Sequence, residues 1–309
     1  MYKFVLKRIL LLIPILIGVI FIIFTILSFT PGDPGTLILG VNAPPQSIDQ
    51  LNHDLGYDQP FIVRFVNYCW NALHGDFGKS YLTGEPVFKE IFQKFPITLQ
   101  LAISSVIIAV VIGISVGILS AVKQYSIADM ISTVLAMFAA SIPQFWLGMM
   151  LMLIFCLELK WLPTSGTDDW RSFILPSFTL AIPMAAGLLR MTRSTMLETI
   201  RQDYIRTARS KGVVERIVIW KHALKNALLP VITVIGMMFG ALIGGAVLIE
   251  VVFGMNGVGT LTLVAIRSKD IPVVMGTQLF FSFIFMIVML IVDVLYAFID
   301  PRIKSRYIK

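Results

Sequence analysis

Six stretches of this chain are too apolar to face water and long enough to cross a bilayer as helices. They run Ile9 to Phe29, Leu99 to Val122, Ile131 to Leu157, Phe173 to Leu189, Ala227 to Ile249 and Leu279 to Ile299. A helix rises about 1.5 Å per residue, so about 20 residues traverse roughly 30 Å of hydrocarbon, and within it the helix satisfies its own backbone polar groups. The expected fold is therefore an all-α membrane protein with six transmembrane helices. Composition agrees: of 309 residues, 57% are hydrophobic and 14% charged, more apolar surface than a soluble domain can bury. The first run follows Lys3, Lys7 and Arg8 as a signal peptide would. Its length of 21 residues and the lack of an A-x-A site after it predict a retained helix.

A net charge of +7 could mean nucleic acid in a soluble protein, but in a membrane protein a basic excess marks cytoplasmic loops and anionic lipid headgroups. An even number of spans puts both termini on one side. That side carries 17 Lys and Arg against 8 on the other, nine of them between Arg190 and Asn226. The richer side is predicted to be cytoplasmic. Thr30 to Thr98 then forms an external segment with turn residues at Pro31 to Gly35 and Asn42 to Pro45, and it is expected to be a small, partly helical cap. Phe61, Phe65, Tyr68 and Trp70 offer that cap something to bury. The expected division is an N-terminal helix with its cap (1–94), a transmembrane domain (95–299) and a cytoplasmic tail (300–309).

Motifs for chemistry fail on context. Gly113-Ile114-Ser115-Val116-Gly117 has the G-x-S-x-G spacing of a serine hydrolase, but it lies in mid-helix and no span contains a histidine base. Read as G-x-x-x-G, Gly113 with Gly117, Gly236 with Gly240, and Gly240 with Gly244 are close-packing faces. Gly78-Lys79-Ser80 lacks the earlier glycine of a P-loop, since Leu73 stands there. Gly254, Gly257 and Gly259 have the wrong order for a dinucleotide site and are read as a turn. Cys69 and Cys156 imply no disulfide framework, and His53, His74 and His222 have no ligand spacing. No catalytic, cofactor or metal site is expected. Asp293 is the one ionisable residue read as lying within a span, thin support for proton coupling.

The loop from Arg190 to Asn226 is the informative region. Met196, Ile200, Tyr204 and Ala208 recur every four residues, as one apolar helix face does. Gly212 interrupts, and a second helical stretch is expected from Val214 to Ala223, before Pro230. Two short helices around a glycine suit a groove on a partner protein; a basic helix held on anionic lipid suits the pattern equally.

The run Asp203-Tyr204-Ile205-Arg206-Thr207-Ala208-Arg209-Ser210-Lys211-Gly212, followed by His222-Ala223-Leu224-Lys225-Asn226-Ala227-Leu228-Leu229-Pro230, resembles the EAA loop of binding-protein-dependent ABC importer permeases, particularly the peptide and nickel branch. Arg206 and Thr207 stand where the general pattern has Glu and its first Ala, and Lys211 replaces an Asp. Further likeness lies at Leu55-Gly56 with Asp58 and Pro60, Gly75-Asp76 with Gly78 and Ser80, Pro96 and Thr98, Ser141-Ile142-Pro143 with Phe145, Leu162-Pro163 with Gly166, Phe253-Gly254 with Gly257 and Gly259, and Asp300-Pro301-Arg302. The resemblance implies the type I importer permease fold in a bacterial cytoplasmic membrane. It also implies a second homologous permease, two cytoplasmic ABC ATPases and an extracytoplasmic binding protein as partners. Residues near 193–226 become the ATPase-coupling loop, with Asp203, Tyr204, Arg206, Thr207, Ala208, Arg209, Lys211, Gly212, Glu215, His222 and Asn226 as its functional residues. Peptides are the expected cargo, nickel the alternative within the class, and a proton-coupled carrier the alternative outside it. Pro143, Pro176, Pro183 and Pro230 are candidate kinks in helices that rearrange.

Overall fold

A computed structural model describes residues 2–29 and 32–299. Pro31, the Asp300-Pro301-Arg302 motif and the rest of the tail from 300 to 309 lie outside the described residues. In chain order the helices are α1 (Tyr2–Ser28), α2 (Pro34–Leu39), α3 (Pro45–Asp54), α4 (Phe61–Leu73), α5 (Val87–Val122), α6 (Ile127–Ser141) and α7 (Gln144–Met152). There follow α8 (Ile174–Ile200), α9 (Asp203–Ser210), α10 (Glu215–Ile217), α11 (Leu224–Gly245), α12 (Val247–Val252), α13 (Val258–Arg267) and α14 (Ile271–Ile299). π-helical turns extend α7 over Leu153–Glu158 and join α10 to α11 over Val218–Ala223.

Four stretches, Val87–Val122, Trp170–Ile200, Glu215–Gly244 and Ile271–Leu295, are helical, long and apolar enough to span a membrane unaided, and the first apolar run lies on α1. The third run is not the single helix its composition suggests: α6 and α7 meet at 97°. Pro143, at φ −60°, cannot donate to the preceding turn and forces Ile142 into an extended conformation (φ −77°, ψ 126°). Pro183 and Pro230 lie inside α8 and α11, while Pro176 falls in the first turn of α8, where a missing N–H costs no intrahelical bond. The fifth run also divides, α11 ending at Gly245 and α12 starting at Val247.

The chain forms two compact units, one from Leu99–Met255 with the chain from Ile287 on, the other from Tyr2–Thr98 with Asn256–Met286. In the first, α8 is the axis. Of its apolar window 72% is buried, against 22–39% for the other three long helices, and α6, α7 and α11 pack on it. Close approach to α5 depends on two glycines. A Cβ added at Gly113 would stand 2.7 Å from Leu188 Cβ, and one at Gly117 2.7 Å from Thr192 Cβ. Gly236 is similarly pressed by Val292, and Gly240 is buried, but Gly244 meets nothing within 4 Å.

In the second unit, α4 lies along the C-terminal half of α1. Phe61 and Phe65 meet Phe21 and Phe24 edge-on at 5.3–6.0 Å, with Tyr68 alongside. Trp70, expected in the same core, is 64% exposed and lies against His74 with the rings tilted at 52°, because it falls on the opposite face of α4. Asp33 caps α2 by accepting from Thr36 N at 2.8 Å, and Asn52 Nδ2 donates to the same oxygen. Those two donors, Asn52 first, hold the Asp33 carboxyl below its ordinary value. Buried Asp270 accepts from Ser80 Oγ at 2.5 Å, and Thr98 Oγ1 accepts from Val258 N at 2.9 Å. These contacts tie the turn before α5 and the first part of α5 itself to the segment around α13.

Gly113→Val should therefore lower the detergent-solubilised unfolding temperature, at the ~1–3 kcal/mol typical of overpacking. Gly244→Ala should leave it unchanged or raised, since alanine gains helix propensity where nothing is displaced. Thermal unfolding followed by size-exclusion chromatography distinguishes the two.

Candidate functional site

The loop between α8 and α11 is built on a buried apolar base. α8 stops where Gln202 turns extended (φ −70°, ψ 149°), and α9 begins with Asp203 in its first turn, where the helix dipole favours a carboxylate. Eight residues make a helix too short to persist alone in water. What holds it is Ile205, fully buried in a cluster with Ile118 and Ala121 of α5, Met196 of α8, and Val218, Ile219, Ala223 and Ala227 beyond the turn. The expected face of Met196, Ile200, Tyr204 and Ala208 is thus corrected at one position. Met196, Ile200 and Ala208 join the cluster, but the interruption of the helix at Arg201 and Gln202 shifts the phase. Ile205 turns inward in place of Tyr204, which is 45% exposed.

α9 closes in a Schellman turn that requires its glycine. Gly212 N donates to Arg209 O at 2.9 Å, Val213 N donates to Ala208 O at 3.3 Å, and Gly212 sits at φ +72°. Ala208 and Val213 both pack on the cluster beneath. Across this turn Arg209 grips Glu215 with two bonds, Nε to Oε2 at 3.0 Å and Nη2 to Oε1 at 2.6 Å. Both side chains are exposed, so the pair fixes register and contributes under ~1 kcal/mol. The second connection is Asn226, whose Nδ2 donates to Tyr204 Oη at 3.0 Å and to His222 O at 3.1 Å. The structure thus brings Tyr204, Arg209, Glu215, His222 and Asn226 into one frame. Thr207 Oγ1 donates back to Asp203 O, and Asp203, Arg206, Thr207, Lys211 and Gly212 lie on the exposed surface.

The second helical stretch, expected from Val214 to Ala223, runs from Glu215 to Ala223, and its last six residues are π-helical. The wide turn buries Val218, Ile219 and Ala223 while leaving Val214, Ile217 and Trp220 47–66% exposed, among Arg216 and Lys221. These apolar side chains share the exposed surface of the turn with the basic Arg216 and Lys221.

Sequence reasoning missed an ion pair between α6 and α8, buried on its Asp129 side. Asp129 on α6 accepts from Arg193 on α8, Nε at 2.7 Å and Nη2 at 2.8 Å, and also from Ser120 Oγ and Tyr125 N. Glu250 on α12 is fully buried as well. Asp293 is therefore not the sole ionisable group on the apolar helices. The available signal for Asp129 was its place three residues after a capping serine, Ser126, and that pattern says nothing of Arg193.

A helical bundle with several apolar spans and an exposed basic helical turn between two of them is a multi-pass membrane protein. This chain belongs to the family of binding-protein-dependent transport system inner membrane components, whose model matches residues 113–305, and the model of that family's N-terminal part matches residues 1–102. It is 44% identical over 306 residues, 99% of this chain and the whole of the relative, to the glutathione transport system permease protein GsiC of Salmonella choleraesuis (strain SC-B67). GsiC of Escherichia coli (strain K12) is 43% identical over the same share. Among solved structures, the inward-facing MetNI methionine ABC transporter in its native crystal form superposes with a TM-score of 0.56 at 20% identity, covering 70% of this chain and 99% of that one. The fold is that of type I ABC importer permeases.

Replacing Gly212 with valine puts a branched side chain at φ +72°, at a cost of roughly 1–2 kcal/mol. Asparagine, which tolerates this region, should cost less. Limited proteolysis between α9 and α10 should be faster in Gly212→Val and near wild type in Gly212→Asn.

Proposed function

We propose that this chain is one permease subunit of an ATP-driven importer that carries peptides across the cytoplasmic membrane, and that its α9–α11 turn is the element an ATPase subunit grips. The observation that carries the coupling role is the Gly212 turn itself. It is exposed, rigidly built on the Ile205 cluster, and edged by apolar and basic side chains. Small peptides as cargo are supported by the near full-length likeness to glutathione permeases, since glutathione is a tripeptide. The working assembly in this reading has a second, similar permease, two ABC ATPases that hydrolyse ATP, and an extracytoplasmic binding protein that delivers the cargo. The chain itself transmits force and forms channel wall. Both termini lie in the cytoplasm, supported by the excess of Lys and Arg in the segments that share their side. Residues 1–94 supply the first helix and the external cap that receives the loaded binding protein, 95–299 the transmembrane domain and 300–309 the tail.

Wild-type chain purified with its neighbouring gene products should retain the ATPases and hydrolyse ATP faster when binding protein and glutathione or trialanine are added. Gly212→Asp keeps a residue tolerant of this backbone region but adds a negative charge, and should lose the ATPases or the stimulation. Retention with wild-type stimulation would remove the loop from the coupling path, and stimulation by nickel with no response to peptide would replace the cargo. A fluorescent protein fused after Lys309 should fluoresce, while alkaline phosphatase at the same site should stay inactive. The reverse pattern would invert the topology.

A further inference from the structure

We propose that Asp129 and Arg193 are positioning residues for transport, a clamp through which movement of the coupling loop reaches α5 and α6. The inference rests on the coupling role proposed for that loop, and adds a path into the membrane helices.

Four donors from three parts of the chain converge on one carboxylate. Arg193 of α8 supplies Nε and Nη2, Ser120 of α5 supplies its hydroxyl, and the turn after α5 supplies the backbone N–H of Tyr125 at 2.9 Å. The Asp129 side chain is 5% exposed and that of Arg193 26%. The turn is held in a costly form, with Tyr125 at φ +63°, an outlier for a bulky residue, and its N–H bond to Asp129 is part of what holds it there. α5, α6 and α8 are thus joined by a contact with fixed directions, where an apolar contact could slide.

Its position links it to the loop. Arg193 lies seven residues before the end of α8 at Ile200, about 10 Å along one rigid helix. Between them Met196 enters the cluster that holds Ile205 of α9, together with Ile118 and Ala121 of α5. The loop base and the ion pair therefore share α5 and α8 as common walls. From Asp129, α6 runs to the 97° break before α7, so a displacement of α8 carried through the pair is delivered to the most sharply bent span. Stability alone gives little reason for such a pair: a buried ion pair exchanged for apolar residues of similar volume is often neutral or stabilising. What the two-pronged Arg–carboxylate contact supplies is geometry.

The test uses the complete importer in proteoliposomes, reading ATP hydrolysed per labelled glutathione imported, alongside the unfolding temperature. Arg193→Lys keeps the charge and loses the fork, and Asp129→Leu with Arg193→Met replaces the pair by apolar packing. We expect both to assemble with near wild-type unfolding temperature and to raise the ATP-per-peptide ratio by about five-fold or more, the low end of ordinary coupling effects. The charge exchange Asp129→Arg with Arg193→Asp should recover part of the loss. A wild-type ratio in Arg193→Lys overturns the proposal, and does so even if the apolar pair fails to assemble. Gly212→Asp, run in parallel, separates the two readings. If it too leaves stimulation and ratio unchanged, the coupling role of the loop has failed. If it uncouples while Arg193→Lys does not, only the clamp has failed.

Discussion

The larger unit depends on the burial of α8 from almost every side. In a bilayer the lipid tails are as apolar as leucine, so water does not drive one helix against another, and association depends on close packing. α8 obtains it through small residues. Ala181, Ala185 and Ala186 are buried along its length, and Gly113 and Gly117 let α5 approach until an added methyl group would collide with Leu188 or Thr192. The other long helices remain mostly uncovered within this chain, which is the state expected of surfaces meant for lipid or for further subunits.

The turn around Gly212 is built on that axis. Neither α9 nor α10 is long enough to be stable by itself, and they are held because Ile205 of α9 and Val218, Ile219 and Ala223 of the π-helical turn after α10 join a cluster with residues of α5 and α8. The polar contacts above the cluster, Arg209 with Glu215 and Asn226 with Tyr204, set direction more than they add energy.

The smaller unit works by different means. Its short helices are joined by aromatic edge contacts between α1 and α4 and by buried polar ties such as Ser80 with Asp270 and Thr98 with Val258. Each tie joins residues far apart in the chain and settles which loop meets which helix, something apolar packing alone leaves loose.

The sequence by itself determined the solvent, the approximate helices and the place of the loop. Apolar run length is a direct measure of a bilayer, Gly212 announces a left-handed turn that few other residues accept, and the EAA-like residues on either side of it identify the family. Tertiary structure decided what has no local signature. Ile205 rather than Tyr204 turned inward because a two-residue break rotated the helical phase, and periodicity cannot register a break that leaves the spacing of apolar residues intact. The third apolar run bent by 97° at Pro143, although Pro183 and Pro230 sit inside continuous helices. Proline removes one hydrogen bond in each case, and the surrounding helices decide whether the chain then bends. Asp129 found Arg193 across 64 residues. A carboxylate beside a capping serine looks like an ordinary helix start until a cation from another helix arrives to complete it, and only the packing of α5, α6 and α8 brings that cation there.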